Sequence, residues 1–296
     1  MVVIQLQGGL GNQMFQYAIA SIIAEREKTS LLVDSTVLEN PKKIKNVQTV
    51  RNFELGVFNN KYKFADIKKI EKYFNPSKMT SFKKRFNFPF PKIFKEPGYN
   101  FHEYLLYLKS PVYLKGYFQS YKYFLSNEEY VRDLFLFSPK QLGDKNLELL
   151  EIINKKDTVS VHIRRGDYIT NREIQNIHGN CDMHYYLKAI DIIAGKVKNP
   201  TLIFFSDELD WVREKFSKVE YNSVFVDYNF GEDSWKDMIL MSKCSHNIIA
   251  NSSFSWWGAW LNKNPEKIVI APRNWFKDIE MNEKTMDLIP PKWLRI

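Results

Sequence analysis

Hydrophobic residues recur along the chain with two spacings, one of about two residues that is typical of strands and one of about 3.6 that is typical of helices. An apolar run at 2–6 leads into a glycine turn, helical spacing covers 12–27, and a second apolar run lies at 31–33. These segments predict one βαβ unit. The segment from about 41 to 111 is irregular and rich in Pro and Phe, and it precedes a predicted strand at 112–118 and predicted helices at 126–136 and 144–154.

The alternation is sharper in the second half of the chain. Strands at this rhythm between helices predict a parallel sheet with helices on both faces. With 296 residues the chain is long enough for two cores. We therefore predict an α/β protein with two Rossmann-like domains facing a cleft, divided near Glu151 into 1–150, with a basic insertion at about 40–110, and 151–296. The predicted strands lie at 158–163, 201–205, 224–226, 247–250 and 267–270, and the predicted helices at 182–194, 208–216 and 233–243.

The positive charge of the chain is concentrated in one segment. The formal net charge is +9, and the stretch between Asn40 and Asn100 holds 15 Lys and Arg against 4 Asp and Glu, a local +11. Phe and Tyr interleave with these charges, a pattern that also suits nucleic acid or an anionic membrane face. Because no nucleic-acid motif accompanies the segment, we interpret it as a solvated basic surface over an aromatic core. We predict no nucleic-acid partner and leave peripheral contact with an anionic membrane open.

The cysteine content and the lack of a long apolar run favour a cytoplasmic location. Hydrophobic residues make up 44% of the chain and aromatic residues 15%, which is ample for folded cores. The N-terminal segment lacks a basic leader, and no apolar run approaches the roughly 20 residues needed to cross a bilayer. Cys181 and Cys244 are too few for a disulfide framework. A cytoplasmic location is expected, with a peripheral position at the inner membrane face left open.

Two arginines follow the first strand predicted in the second domain. His162 lies in that strand, and Arg164, Arg165, Gly166 and Asp167 come after it. Adjacent guanidinium groups can bind diphosphate oxygens in pairs, and glycine lets the backbone approach the ligand closely. Asp167 can orient an arginine or accept a proton from a sugar hydroxyl. Taken alone, the segment suits a surface Arg–Asp pair equally well.

A hydroxyl-rich turn follows a later strand of the same predicted sheet. Asn251, Ser252 and Ser253 lie directly before helical spacing begins. Hydroxyls and amides at a helix N-terminus form an anion-binding site that complements the arginines, although an ordinary N-cap has the same pattern. Trp256 and Trp257 are interpreted as core residues, since tryptophans after a cap usually pack inside.

The turn after the first strand combines three glycines with two side-chain amides, namely Gly8, Gly9, Gly11, Asn12 and Gln13. It fails the dinucleotide-binding fingerprint because Met14 replaces the third required glycine, which disfavours a Rossmann oxidoreductase. Amides at the start of a helix can still bind phosphate or sugar.

Metal binding is not expected from the sequence. His178, Cys181 and His184 have the spacing of metal ligands, but they offer only three groups and are interpreted as incidental. The sequence also lacks an Asp-x-Asp pair, the usual means of holding a divalent ion against a diphosphate. Cationic stabilisation would then come from arginine.

Four motifs taken together resemble the α1,2-fucosyltransferase family. They are GGLGNQMFQYA at 8–18, HIRRGDY at 162–168, FSD at 205–207 and NSSFSWW at 251–257, and GYFQS at 116–120 also matches. Their order and spacing agree over nearly the whole chain, whereas the basic segment at 40–100 matches least.

The resemblance implies a GT-B glycosyltransferase of two Rossmann-like domains. The N-terminal half would hold the acceptor and the C-terminal half GDP-β-L-fucose. The implied reaction transfers L-fucose, with inversion, to the 2-hydroxyl of a galactose on an oligosaccharide, an O-antigen or a surface polysaccharide. GDP-fucose is then a co-substrate, and neither a cofactor nor a divalent metal is expected.

The resemblance also implies roles for single residues. Arg164 would grip the diphosphate and stabilise the departing GDP. Asp167 is the candidate base, and late proton transfer to the leaving phosphate is the alternative. Ser252, Ser253 and Phe254 would line the pyrophosphate, Asp207 or Asp237 would bind guanine, and Asn12 and Gln13 would close the site from the N-terminal domain. The other residues expected to bind substrate or donor are His162, Arg165, Asn251, Gly9 and Gly11.

Other functions stay open at this point. The same fold suits a non-catalytic protein that binds a nucleotide sugar or a carbohydrate. A fucosyltransferase of another linkage, either α1,6 or O-linked, is a further alternative.

Overall fold

The computed structural model describes residues 1–39, 51–75, 90–155, 157–166, 177 and 179–296. These residues form two compact units. The first unit comprises Met1–Phe137 and Lys284–Leu288, and the second comprises Ser138–Glu283 and Ile289–Ile296. Each unit contains one parallel sheet, which confirms the predicted α/β class.

The sheet of the first unit has four parallel strands, β1 (Val2–Gln5), β2 (Leu31–Asp34), β3 (Lys92–Lys95) and β4 (Val112–Lys115). Their order is β2-β1-β4-β3. Every residue of β1 is buried, as expected for a central strand of a parallel sheet. The strand order reverses between β1 and β4. Ligands of parallel α/β sheets bind outside the carboxyl ends of the strands at such a point.

Among its described residues, the first unit contains four α-helices, α1 (Leu10–Arg26), α2 (Thr36–Glu39), α3 (Ile67–Phe74) and α4 (Glu128–Leu134). Helix α1 is buried along nearly its whole length. Its position agrees with the predicted helix at 12–27. Helix α3 lies in the basic segment and was not predicted; Tyr73 anchors it by packing against Tyr113 of β4.

The sheet of the second unit has six parallel strands in the order β10-β9-β8-β5-β6-β7. Strands β5 and β8 pair at its centre, and the strand order reverses there. The strands are β5 (Thr158–Ile163), β6 (Thr201–Ser206), β7 (Ser223–Phe225), β8 (His246–Ile248), β9 (Val269–Ala271) and β10 (Leu294–Arg295).

Helices cover both faces of the second sheet, as predicted. Phe204 faces a core that includes Tyr186 and Phe216, whereas the neighbouring Phe205 faces a core that includes Ile153 and Leu240. This alternation is the two-residue period of a strand buried on both sides. The helices are α5 (Asp144–Lys155), α6 (Met183–Ala194), α7 (Leu209–Phe216), α8 (Trp235–Lys243), α9 (Ser253–Leu261) and α10 (Ile279–Glu283). Among the described residues, no helix is both long and apolar enough to cross a membrane.

The division between the units differs from the predicted boundary near Glu151. That residue lies within α5, whose Leu149 and Ile153 are buried in the core of the second unit. The first unit instead ends at Phe137 and regains Lys284–Leu288 late in the chain. Within this late segment, Asp287 accepts hydrogen bonds from the backbone amides of Tyr121 and Phe101, at 3.2 and 3.1 Å.

Candidate functional site

Arg164 and Asp207 meet where two neighbouring strands of the second sheet end. Strands β5 and β6 run parallel in register, with Ile163 opposite Ser206, so the residues that follow them are adjacent. Arg164 Nη1 lies 2.9 Å from Asp207 Oδ2. The backbone amide of Arg165 donates to Asp207 Oδ1 at 2.9 Å. Asp207 therefore holds the side chain of one arginine and the backbone of the next.

Gly166 allows the close packing around Asp207. A Cβ atom placed on Gly166 would lie 2.6 Å from Asp207 Oδ2 and 3.0 Å from its Cγ. Such contacts are shorter than real Cβ atoms show, so a side chain at position 166 would force the Asp207 carboxylate to move. The approach of a carboxylate therefore favours glycine here, in addition to the predicted approach of a ligand.

Arg165 is engaged by protein groups. Its Nε lies 3.2 Å from Glu208 Oε2, and its guanidinium carbon lies 3.6 Å from the centre of the Trp211 ring. An ion pair and a cation–π contact together fix this side chain at the start of α7. The two adjacent arginines therefore have different environments, and Arg164 is the stronger candidate for contact with a diphosphate.

His162 is a buried, neutral side chain beneath the arginines. Its ring centre lies 5.7 Å from that of Phe254, and among the described residues its Nδ1 has no hydrogen-bond partner. Burial lowers the pKa of His162 well below its usual value, nearby Arg164 lowers it further, and Asp207 opposes the change. The imidazole consequently adds no positive charge to the site near neutral pH.

The N-terminus of α9 lies beyond the end of β8, next to β5 in the sheet. Ser252 has an extended backbone, and its Oγ accepts a hydrogen bond from the Phe254 amide at 3.3 Å. Ser252, Ser253 and Phe254 are all partly exposed. The first turn of a nine-residue helix, with its amide groups and positive dipole end, suits an anion. This turn and Arg164 thus follow the two strands between which the sheet order reverses, the position expected for a ligand.

Asn251 has a structural role in this region. It is 2% exposed, and its Nδ2 donates to the carbonyl oxygens of Gly179 and Trp275, at 3.3 and 3.2 Å. Cys181 Sγ lies 3.7 Å from its Oδ1. The side chain thus ties together two loops. This geometry argues against the predicted contact between Asn251 and the donor.

Asp237 lies in the first turn of α8 and belongs to a separate polar cluster. Asn229 Nδ2 donates to Asp237 Oδ1 at 2.8 Å, and the amides of Asn229 and Asn146 hydrogen-bond each other. Burial raises the pKa of Asp237 to about 8, against the opposing effect of the Asn229 hydrogen bond. Since Asp207 is occupied by the arginine segment, Asp237 is the better of the two candidates for guanine.

The glycine turn of the first unit is closed by its own chain. Gln13 is fully buried, and its Nε2 donates to the carbonyl oxygens of Gly8 and Asn52, at 2.8 and 2.7 Å. Glu54 Oε2 accepts a hydrogen bond from the Leu10 amide at 2.9 Å. An acidic side chain therefore caps α1, the position predicted for a phosphate or a sugar, and Gln13 holds the segment that carries it. Sequence reasoning missed Glu54 because no local signal marks such a distant contact.

The other predicted residues of this turn have distinct positions. Gly9 is the N-cap of α1 with φ −78°, and Gly11 is buried within the first turn. Gly8 has φ +76°, so this glycine, which the site prediction omitted, adopts the left-handed conformation. Asn12 is partly exposed, and its Oδ1 accepts a hydrogen bond from Gln119 Nε2 at 2.7 Å. Of the four predicted ligands in the turn, Asn12 keeps the most suitable environment.

Two residues singled out from the sequence lie outside the described residues. They are Asp167, the candidate base, and His178, one of three possible metal ligands. Both therefore stay predictions.

Comparison with known proteins places the chain among sugar transferases. It is 38% identical to the O-antigen biosynthesis glycosyltransferase WbnK of Escherichia coli, covering 95% of this chain and 97% of that protein. It is 35% identical to an α-1,2-colitosyltransferase of Escherichia coli, covering 100% of this chain and 98% of that protein.

A solved structure supports the fold, and the family match covers the full sequence. The NodZ α-1,6-fucosyltransferase soaked with GDP-fucose superposes with a TM-score of 0.50 at 14% identity, covering 95% of this chain and 96% of that one. Such low identity bears on the fold alone. Glycosyl transferase family 11 matches residues 1–296, which confirms the resemblance seen in the sequence motifs. This chain therefore belongs to glycosyl transferase family 11.

Proposed function

We propose that this glycosyltransferase transfers L-fucose from GDP-β-L-fucose to the 2-hydroxyl of a galactose, with inversion, on an oligosaccharide, an O-antigen or a surface polysaccharide. One observation carries this proposal: Arg164 and the N-terminus of α9 follow the two neighbouring strands, β5 and β8, between which the order of the second sheet reverses. The names of two relatives support an α-1,2 linkage: the colitosyltransferase, and a galactoside 2-α-L-fucosyltransferase of Caenorhabditis elegans that is 26% identical over 61% of this chain and 51% of its own length.

Arg164 and the first turn of α9 would bind the diphosphate of the donor. When the bond from the sugar to GDP breaks, negative charge develops on the β-phosphate and the sugar becomes positively charged in character. Fixed positive groups at the leaving phosphate stabilise that state more than the bound donor, and this difference lowers the barrier. Asp207 would position Arg164 through their ion pair, while Ser252 and Ser253 would offer hydroxyl and amide donors.

The acceptor hydroxyl must lose a proton as its oxygen bonds to the anomeric carbon. We retain Asp167 as the proposed base, with proton transfer to the leaving phosphate as the alternative. Replacing Asp167 with Asn distinguishes proton transfer to Asp167 from proton transfer to the leaving phosphate. If Asp167 is the base, the transfer rate should fall by about 10²–10⁴-fold; if the phosphate accepts the proton, no such fall is expected. Asp237 would bind guanine through the carboxyl oxygen that Asn229 does not use.

A donor-by-acceptor screen tests the proposed reaction. GDP-fucose and GDP-colitose would each be offered with lactose, with GDP release and the linkage of the product measured. Colitose is the second candidate donor because the colitosyltransferase matches the whole chain, and this sugar differs from fucose by lacking the 3-hydroxyl. An α1,2-fucosylated product is expected. Colitose transfer alone would change the proposed donor, and an α1,6-linked product would change the proposed linkage. GDP binding without turnover of either donor would indicate a non-catalytic binding protein.

Activity is expected to persist in excess EDTA. The absence of an Asp-x-Asp pair from the sequence and the use of arginine at the leaving group both support metal-independent transfer. The assay compares initial rates before and after extensive chelation. Complete loss of activity that added Mg²⁺ or Mn²⁺ restores would refute this prediction.

Replacing Gly166 with Ala is expected to reduce kcat on the order of 10- to 100-fold, because displacement of Asp207 would misplace Arg164, and small misplacements of a catalytic group have effects of this size. Gly195→Ala is the matched control. Gly195 has φ −68°, and its added Cβ would lie 3.4 Å from the nearest atom. Equal rates for the two variants would show that the Asp207 contact is irrelevant to transfer.

Contact with an anionic membrane through the basic segment is also a proposal. It rests on the local charge of +11 between Asn40 and Asn100. Sedimentation with vesicles that contain phosphatidylglycerol tests it, with neutral vesicles as the comparison. No binding at low ionic strength would contradict it.

A further inference from the structure

The carboxyl edge of the first sheet contains a carboxylate that no role above uses. Strands β3 and β4 pair in register, with Lys95 opposite Lys115, and Glu96 and Gly116 directly follow them. A Cβ atom on Gly116 would lie only 2.4 Å from the Cβ of Glu96. The Glu96 side chain therefore packs directly against the backbone of Gly116, where a larger residue would collide with it. This contact helps to fix the position of Glu96.

Three backbone hydrogen bonds orient the Glu96 side chain. Its Oε2 accepts from the amides of Tyr117 and Phe118, at 2.7 and 3.0 Å, and its Oε1 accepts from the Phe118 amide at 3.0 Å. Phe118 has φ +54°, so the carboxylate also stabilises an unusual turn. An ionised carboxylate offers about four acceptor positions. One position on Oε1 thus stays available for another donor.

Glu96 has no cation beside it among the described residues, since no Lys, Arg or His lies within salt-bridge distance. Its negative charge helps to raise the pKa of the nearby phenols of Tyr99, Tyr117 and Tyr123, which are neutral near pH 7. Burial raises the pKa of Glu96 to about 7, and the amide hydrogen bonds oppose this rise. A half-buried carboxylate without a counter-charge lowers the stability of the folded protein, so stability does not explain its presence. Perturbed carboxylates of this kind are typical of functional sites.

Aromatic rings lie beside this carboxylate, and two side-chain amides lie at the same edge of the sheet. Tyr99 and Tyr117 are partly exposed, and their rings are inclined by 17° with centres 6.4 Å apart. The hydrogen-bonded Asn12 and Gln119 follow β1 and β4, where the strand order reverses. Aromatic faces beside a few oriented polar groups form the usual surroundings of a bound small ligand. Sugars suit such surroundings, since they offer C–H faces and hydroxyl donors together.

We propose that this edge of the first unit is the acceptor-sugar subsite, in which Glu96 accepts a hydrogen bond from a hydroxyl of the acceptor and Tyr99 and Tyr117 contact its ring. The proposal rests on the glycosyltransferase function proposed above and names the residues that would recognise its acceptor. It involves no covalent step. Asn12 supplies a further polar group at the same edge.

Steady-state kinetics of Glu96→Gln test this assignment. The acceptor KM for lactose is expected to rise by about 10- to 100-fold, the range for a lost hydrogen bond to a charged group. The KM of the donor and the GDP affinity are expected to stay unchanged. Glu103→Gln is the matched control, because Glu103 is an exposed carboxylate a few residues away. It should leave both KM values unaltered.

The pH dependence adds a readout that a structural role would not change. Since Glu96 has a raised pKa, it is protonated below about pH 7 and becomes a full acceptor above it. The acceptor KM should therefore fall as pH rises through 7 in the wild-type protein and stay flat in Glu96→Gln. Tyr117→Phe, which keeps the ring, should bind acceptor much better than Tyr117→Ala.

Three results would overturn the proposal. They are an unchanged acceptor KM in Glu96→Gln, donor and acceptor KM values that rise together with a lowered melting temperature, and an unchanged acceptor KM in Tyr99→Ala. The last variant keeps the test decisive if Glu96→Gln fails to fold. Failure of the proposed function has a different signature, since wild-type protein would then neither bind GDP nor turn over a GDP-sugar.

Discussion

Arg164→Ala is expected to lower kcat for transfer by about 10²–10³, the usual effect of removing one fixed donor from a developing negative charge. The reason is the position of Arg164 at the reversal point of the second sheet, paired with Asp207 at 2.9 Å and partly exposed. Initial rates with GDP-fucose and isothermal titration with GDP would measure the effect. Arg164→Lys should recover only part of the rate, since lysine lacks the planar fork of the guanidinium group.

Arg213→Ala is the matched control for the Arg164 variant. Arg213 lies in α7 of the same unit and forms an ion pair with Asp227, with its side chain 44% exposed. Surface pairs of this kind contribute roughly 0–1 kcal/mol, so the control should fold normally and transfer at the wild-type rate. A full rate in Arg164→Ala, with an unaltered melting temperature, would end the leaving-group proposal.

Trp256→Ala is expected to destabilise the second unit by about 3–5 kcal/mol, the usual effect of truncating a large buried aromatic residue. Trp256 is 0% exposed. Its ring centre lies 5.1 Å from that of Trp257, 6.1 Å from Trp260 and 5.6 Å from Trp293. Urea denaturation followed by circular dichroism would measure the change. This cluster confirms the interpretation of the tryptophan pair as core.

Ile279→Ala provides the comparison for the tryptophan variant. Ile279 is 78% exposed in the same unit, so its truncation should change the free energy of unfolding by roughly 0.5 kcal/mol or less. If Trp256→Ala kept wild-type stability but lost GDP binding, Trp256 would be a ligand-contacting residue instead of a core residue.

Most strands were predicted well, including the edge strands β2 and β7, whereas the edge strands β3 and β10 were missed. Strands β5 and β6 are apolar on both faces, so their sequences reveal them directly. Strand β3 has the sequence KIFK with only Phe94 buried, and its lysines are typical of an edge strand. Such a pattern is hard to distinguish from a basic loop. Strand β10 has two residues, too few to show any period.

The sequence indicated which strand ends to consider for the candidate site, but not which side chains contact each other there. Strand ends are visible in a sequence, and Arg164 and Ser252 do follow strands β5 and β8 in the structure. The partner of each side chain depends on tertiary packing. Gln13 bonds to a segment about 40 residues away, and Asp207 pairs with an arginine from the neighbouring strand. For this reason the sequence did not show that Gln13, Asn251 and Arg165 form hydrogen bonds or ion pairs within the protein.

The return of Lys284–Leu288 to the first unit determines how the protein can be engineered. A chimera made by exchanging only residues before Ser138 with those of a relative would combine one protein's scaffold with another protein's Asp287. In such a chimera the Phe101 amide and its acceptor, the side chain of Asp287, would come from different proteins, whereas the Tyr121 amide would keep a backbone carbonyl partner. Exchanging the whole first unit between members of the family therefore requires two segments, one long and N-terminal and one of five residues near the C-terminus.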